Sequence, residues 1–580
     1  MDQQYLDNLR HSCAHLLAAA VRSIWPNAQN AIGPSIESGF YQDFDMGDVK
    51  ISEADFERIE NKMREILKTW DNFTIQEVPV EQAKKDFSWN PYKLELIDEF
   101  AVQGKTITET KQGSFLDLCK GGHLAHPKDE IKHFKLLSVA GAYWRGNEKN
   151  KMLTRIYGTC FPSQQELKDY LHMLEEAKKR DHRKIGAELD LFVFSELVGS
   201  GLPLFTPKGT MVRRELENFI AELRLAKKFE RVWIPHIAKN DLYKTSGHWD
   251  KFEDDLFHVK SKKTETQFVL KPMNCPHHIQ LFAARGRSYR EMPVRYFETT
   301  TIYRDENTGQ LQGLTRVRSI TQDDSHVFCR RDQIKQEVGV AYEIITTLYK
   351  TIGMELRVRL STHDPANMQK YLGTPEMWNE AEQNLADIVK QAGQDYSVGV
   401  GEAAFYGPKL DFMGVDSLGR EWQLATIQLD MNQPERFKLN FTNAAGVDER
   451  PVMIHVAVLG SVERFMGVLI EHTAGNLPVW LSPVHVLLAA VSEKHDAQTH
   501  TLAKQFEAAG IRVAVDDADE SIGKKVRNAA KQKIPYIVVI GDRELDGGDW
   551  TIRVRGQEEQ LKITKEEFIA KVRTEIATRK

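Results

Sequence analysis

At 580 residues the chain exceeds what one hydrophobic core supports, and three or four domains are expected. Its 78 Lys and Arg against 83 Asp and Glu leave a net charge of −5, which excludes a generally basic nucleic-acid coat but not local basic patches. Apolar residues at 41% and charged residues at 28% are ordinary for a globular protein, and no apolar run approaches the roughly 18–20 residues of a membrane helix.

The N-terminus carries Asp2 and Asp7 and no basic stretch followed by an apolar one, so no secretory signal is expected. The cysteines Cys13, Cys119, Cys160, Cys275 and Cys329 are scattered and odd in number, which points to a reducing, cytoplasmic compartment. Residues 1–161 open with an apolar-rich helix, Leu9–Trp25, stopped by Pro26, and continue as a mixed α/β pattern. In this segment His11 and His15 stand one helical turn apart, and Cys119 and His123 repeat the same offset. By spacing alone the two pairs read as a zinc site or, more blandly, as a helix with two exposed histidines. Residues 162–185 form a charged connecting helix with Leu167, Leu171 and Leu174 at helical spacing and a basic cluster from Lys178 to Lys184.

The region 186–482 contains no GxxxxGK[ST] phosphate loop, so any nucleotide is held by another geometry. Two strand-like segments, Arg295–Glu306 and Arg316–Phe328, flank the turn signal Asn307-Thr308-Gly309. Alternation places Arg316, Arg318, Ile320, Gln322, Asp324 and His326 on one face, with Arg304 and Glu306 of like parity across the turn. Such a face is either the solvated side of an exposed strand or a site for an anionic phosphate ligand beside an amine. His455, in the apolar run Val452–Val458, reads by itself as a satisfied core residue. Residues 483–580 alternate strands (Val484–Val491, Arg512–Val515, Tyr536–Ile540, Trp550–Val554) with helices, which predicts a small, mainly parallel sheet covered by helices. A basic cluster at Lys524, Lys525, Arg527, Lys531 and Lys533 reads as a solvated helix face.

Tyr303-Arg304-Asp305-Glu306 with Gly313–Arg318 resembles motif 2 of class II aminoacyl-tRNA synthetases. Leu459–Phe465 resembles motif 3, and Phe229–Pro235 resembles motif 1 at the dimer interface. Within that class, Lys271–Pro276, Thr321–His326 and Phe405–Lys409 are similar to threonyl-tRNA synthetases, and the likeness runs in order from His11 to the C-terminus. The resemblance implies an N-terminal α+β editing domain (1–161), a connecting helix (162–185), an antiparallel-sheet class II catalytic domain (186–482) and an α/β anticodon-binding domain (483–580).

The same resemblance implies ATP-dependent ligation of L-threonine to tRNA(Thr), with hydrolysis of mischarged seryl-tRNA(Thr), by a cytoplasmic homodimer formed through motif 1. Arg304, Glu306, Arg316 and Arg464 are the implied catalytic residues, and Gln322, Asp324, Tyr406, Lys409, Gln423, Gln428 and Ser461 the substrate contacts. Cys275, His326 and His455 are the implied zinc ligands, with magnesium accompanying ATP. Editing falls to His11, His15, Lys93, Asp117, Cys119 and His123, and anticodon reading to Glu544 and Arg553.

Four features depart from the family pattern. Ten residues precede His11, so the ubiquitin-like N-terminal domain common in the family is expected to be missing. His277 replaces a usual glycine, Ile320 stands where an aromatic commonly stacks on adenine, and Asp519 stands for an asparagine that contacts an anticodon base. Two other functions fit parts of the pattern, a stand-alone proofreading hydrolase and a catalytically silent RNA-binding regulator.

Overall fold

A computed structural model describes residues 2–147 and 149–580, which divide into two compact units at Glu176/Ala177. In the first unit the helix Gln3–Ile24 begins six residues earlier than its apolar face predicts, because Asp2 caps it by accepting from Gln4 N. Its apolar face, including Leu9, Cys13, Leu16 and Leu17, packs on Phe40, Phe44 and Ile156 of a five-stranded antiparallel sheet. A second sheet of three strands, Thr74–Glu77, Thr108–Gln112 and Phe115–Leu118, delivers Asp117 and then Cys119.

The second unit is built on an eight-stranded sheet. Its central strands are β1 (Val294–Tyr303), β2 (Ser319–Cys329), β3 (Lys409–Val415), β4 (Glu421–Asp430) and β5 (Val452–Ser461), ordered β1-β2-β5-β4-β3 and antiparallel throughout. Short parallel partners, Glu230–Arg231 beside β1 and Tyr396–Val400 beside Glu355–Thr362, close the two edges. One face is covered by the helices α1 (Pro207–Ala226), Ile334–Ile352 and Pro375–Gln391, whose buried Leu216, Ile345 and Leu385 join Phe412, Ile427 and Val458 in one core. The other face is left for polar side chains.

The two predicted strands are shorter than expected, since β1 stops at Tyr303 and β2 starts at Ser319. Arg304, Glu306, Arg316 and Arg318 therefore belong to the connecting loop. A turn explains this: Thr315 N donates to the Gln312 carbonyl, and Arg318 N donates to the Gly201 carbonyl rather than to a neighbouring strand. Leu314 is fully buried and pins the loop from within.

The C-terminal sheet has the order Val513–Asp516, Val486–Ala490, Tyr536–Ile540, Trp550–Val554, Leu561–Ile563. Its first three strands are parallel and its last two antiparallel, so the expected mainly parallel sheet is mixed. The connection from Gly541 to Asp549 is shorter than the dozen or more residues a parallel crossover needs, which forces the chain to return antiparallel. Lys525 leaves the predicted solvated face: it is buried and donates to the Ala490 and Asp516 carbonyls at 2.8 and 3.1 Å. No described helix is long and apolar enough to cross a membrane.

Candidate functional site

The open face of the central sheet floors a cavity of about 500 Å³. Register brings distant residues side by side: His326 on β2 faces His455 on β5, which faces Gln428 on β4. A bulge between Gln322 and Asp324 lets two residues of β2 span Ala457 to Ser461 on β5, so the sheet's end swings toward the start of helix α2 (Val462–Thr473).

Where His326 and His455 line the cavity, one donor atom each from these two and from Cys275 lies within 4.8 Å of the others, and all three side chains are buried. Cys275 enters from the first turn of the helix Cys275–Ala283. Each imidazole is held by a second partner, His455 Nε2 by Asp430 Oδ2 at 2.9 Å and His326 Nδ1 by His278 Nδ1 at 2.7 Å, the kind of outer support that orients metal-binding rings. Burial, then the neighbouring His455, holds His326 neutral, while burial and the Asp324 charge push the Cys275 thiol up. The donor set fits zinc. Bonds of about 2.0–2.3 Å in a tetrahedron need donors roughly 3.5 Å apart, and three protein ligands leave a position open. Asp324 lies beside the trio, with Oδ2 accepting from Asn274 Nδ2 at 3.0 Å. Tyr406 stacks obliquely against His455, ring centres 5.2 Å apart.

The opposite end of the cavity is cationic. Arg304, Arg316 and Arg464 line it with Glu306, Ile320, Gln423 and Ser461. Arg316 is paired with Glu306 at 2.7 Å. Arg464 is half enclosed, its Nε is buried without a hydrogen-bond partner, and burial followed by the Arg316 charge lowers its pKa. Two like charges facing a cavity with an unmet donor suit an anionic ligand. Gln423 is aimed by Asp411 Oδ1 at 2.7 Å, and Gln428 by the Gly407 carbonyl at 2.9 Å. Ser461 caps α2 by accepting from Arg464 N at 3.2 Å.

Two expected members lie outside this space. Lys409 turns to Asp411 Oδ2 at 2.7 Å, a fully buried carboxylate that also accepts from Ser361, because Lys409 and Asp411, two residues apart, share one face of β3. Arg318 donates twice to the Glu306 carbonyl, at 3.0 and 2.9 Å, and so shapes the loop. His277 does not line the cavity, and its two ring nitrogens are buried without partners. Sequence alternation missed Asn274, Asp411 and Asp430, whose only signal was their adjacency to the motifs. It also missed Asp323, on the covered face of β2, which accepts from Arg224 and from the amides of Val458 and Leu459 at 2.8 Å each. Burial pushes Asp323 up to about 6 against the pull of Arg224.

A second cavity of about 770 Å³ lies in the first unit, lined by His11, His15, Lys93, Asp117 and Cys119. His11 Nε2 stands 3.1 Å from both His15 Nε2 and Cys119 Sγ, and Cys119 Sγ lies 3.4 Å from His123 Nε2. Lys93 Nζ pairs with Asp117 Oδ1 at 2.6 Å, and His15 Nδ1 approaches Asp117 Oδ2 at 3.5 Å. Burial keeps the imidazoles neutral, lowering His15 well below its usual value and His123 to about 2. His15 is buried, so the exposed-histidine reading fails. The four donors also lie within 4.8 Å of one another, so metal ligation and general-base chemistry share one geometry.

In the C-terminal sheet Arg553 is exposed on Trp550–Val554 and Glu544 caps the turn at Gly541 N, 3.1 Å away, while Asp519 is exposed. Beside the motif 1 proline, Trp233 is 75% exposed and Ile237 and Leu225 also face outward.

Comparison with known proteins agrees with this geometry. Residues 257–473 match the family described as tRNA synthetase class II core domain (G, H, P, S and T), 485–575 the anticodon binding domain, and 110–157 the threonyl and alanyl tRNA synthetase second additional domain. The threonine-tRNA ligase of Cytophaga hutchinsonii is 47% identical over 98% of this chain and 88% of its own length. That of Thermotoga petrophila is 44% identical over the same shares. Among solved structures, the RNA binding domain of threonyl-tRNA synthetase from Cryptosporidium parvum Iowa II superposes with a TM-score of 0.65 at 37% identity, over 68% of this chain and 98% of that one. A Giardia lamblia prolyl-tRNA synthetase, at 16% identity and a TM-score of 0.55, shares the fold. With two histidines of the donor trio and three arginines lining one cavity, and close likeness along nearly its whole length, the chain belongs to the threonyl-tRNA synthetase family.

Proposed function

We propose that this chain activates L-threonine with ATP, transfers it to tRNA(Thr), and hydrolyses seryl-tRNA(Thr) at a separate site. The observation that carries this reading is a single cavity with His326 and His455 at one end, backed by the buried Cys275, and three arginines in its lining. In the activation step a carboxylate oxygen of threonine attacks the α-phosphorus, a new P–O bond forms, and the bond to pyrophosphate breaks. Arg304 reaches from the cationic end toward Met273, 3.2 Å away, and is assigned both the attacking carboxylate and the α-phosphate. Arg316 and Arg464 take the distal phosphates and the adenine face, and Glu306 takes the adenine amino group. Gln423 and Gln428 lie along the bound pair. Preorganised charge and alignment supply most of the rate, since these groups are already held by Asp411, Gly407 and Glu306.

Zinc held by Cys275, His326 and His455 would supply an electrophilic anchor for the amine and hydroxyl of threonine, and magnesium would accompany ATP. Asp324 accepts from that hydroxyl, and Tyr406 lies against the amine. A site that requires the hydroxyl rejects valine strongly, whereas serine lacks only a methyl, worth about 1–3 kcal/mol. Seryl-tRNA that escapes this filter is hydrolysed in the second cavity: water adds to the seryl carbonyl and gives a proton to neutral His11 or His15, the ester bond to the ribose breaks, and the proton passes to the departing ribose oxygen, while Lys93 fixes Asp117 beside them. The exposed Trp233, Ile237 and Leu225 support a homodimer through motif 1, and five free cysteines suit the cytoplasm. Glu544 and Arg553 are the proposed anticodon contacts.

Amino-acid-dependent ATP–pyrophosphate exchange tests the reading. Exchange is expected with threonine, weakly with serine and scarcely with valine. A folded, zinc-loaded sample without threonine-dependent exchange refutes it and favours a proofreading hydrolase or a silent regulator, which deacylation of seryl-tRNA then separates.

A further inference from the structure

His182 opens the short helix His182–Glu188, which follows the helix Gln164–Lys179 in place of the single connecting helix expected over 162–185, far in sequence from every residue of the ATP site. It is buried, and both ring nitrogens are engaged. Leu314 N donates to His182 Nε2 at 2.9 Å, so Nε2 carries no proton, and Nδ1 must be the protonated nitrogen that donates to Glu471 Oε1 at 2.6 Å. The fit is tight: a Cβ on Gly313, whose φ is +50°, would lie 2.3 Å from His182 Nε2. Leu314 is two residues from Arg316, so this bond fixes the stem of the loop that carries that guanidinium into the cavity.

The other side of the contact leads to the second arginine. Glu471 lies near the end of α2, the helix that Arg464 enters from its first turn, and its Oε2 accepts from Arg420 at 2.6 Å. Burial would raise the Glu471 pKa, but the bonds from His182 and Arg420 outweigh it and hold the carboxyl below its usual range. Arg420 packs on the Trp422 ring at 5.3 Å, and Arg464 packs on the same ring at 5.8 Å. Arg316 and Arg464 repel each other across the cavity, so their spacing has to be imposed by such anchors.

We propose that His182 is a positioning residue for ATP, which sets Arg316 through the Leu314 amide and Arg464 through Glu471, Arg420 and Trp422. The proposal rests on the synthetase reading, so wild-type exchange with threonine is its precondition and is measured first. In ATP–pyrophosphate exchange by the full chain, His182→Ala is expected to raise the KM for ATP about tenfold or more while changing the KM for threonine less than about twofold. His182→Gln keeps an acceptor for the Leu314 amide and is expected to recover most of that loss. Glu471→Gln, which removes the carboxylate without a cavity, is expected to raise the ATP KM in the same direction. Zinc content and thermal melting establish that each variant is folded. An unchanged ATP KM in Glu471→Gln and His182→Ala overturns the proposal. So does an equal rise in both KM values, or a Gln variant no better than Ala.

Discussion

Replacing Asp324 by Ala tests the threonine end most directly. Asp324 is almost wholly buried, and one carboxylate oxygen is committed to Asn274 while the other stands 3.7 Å from His326 Nε2. One acceptor position therefore remains for a substrate hydroxyl. A hydrogen bond to a charged group contributes about 1.5–3 kcal/mol. At about 1.4 kcal/mol per decade this corresponds to a fall of roughly 10- to 150-fold in kcat/KM for threonine. Valine has no hydroxyl to lose, so its kcat/KM should stay nearly constant and the threonine-to-valine ratio should shrink by the same factor. Exchange assays with both amino acids on the zinc-loaded variant measure this. A proportional loss for threonine and valine would refute the hydroxyl-acceptor role and leave Asp324 as structural support.

Other outcomes follow from the same contacts. Cys275→Ala should lose zinc by elemental analysis and lose threonine activation while still hydrolysing seryl-tRNA; loss of both activities would deny the two sites their independence. Lys93→Met should do the converse, slowing deacylation severely with exchange untouched. Arg224→Met leaves the buried Asp323 carboxylate with only two amide donors, and breaking such a pair costs about 3–5 kcal/mol, readable as a lower urea midpoint. His485 is buried near Arg512, and both effects lower its pKa to about 3, so it stays neutral when folded. The unfolded chain takes up that proton below about pH 6.5, so the contribution is full above 6.5 and drains away as pH falls toward 3. His485→Asn keeps an acceptor for Arg512 N and should narrow the stability gap between pH 7 and pH 5 by about 2 kcal/mol.

The parts of this protein that the sequence made legible are those whose chemistry is written in consecutive residues. Alternation on β2 placed Ile320, Gln322, Asp324 and His326 on one wall because a strand repeats every two residues. It failed at Arg318, where the chain had left the strand and a backbone carbonyl claimed the guanidinium. His455 looked like a core histidine because its neighbours are apolar, and only pairing with β2 turned it toward Cys275. Lys409 does not line the cavity, and nothing local announces that Asp411, two residues on, captures its ammonium. The mixed C-terminal sheet was hidden because strand direction depends on connection length, and Leu561–Ile563 is too short to show a period.

Asp323 has a consequence for how the molecule opens. Its carboxylate closes the amides of Val458 and Leu459, and Arg224 of α1 anchors that carboxylate from the helix packed on the same face of the sheet. Those two amides therefore cannot exchange with solvent by fraying of the β5 end alone; they exchange when α1 lets go. The turn that delivers Gly460 and Ser461 to the arginine helix thus shares the protection of the interior, and in hydrogen-exchange terms it belongs to the slowest unit of the fold rather than to its loops.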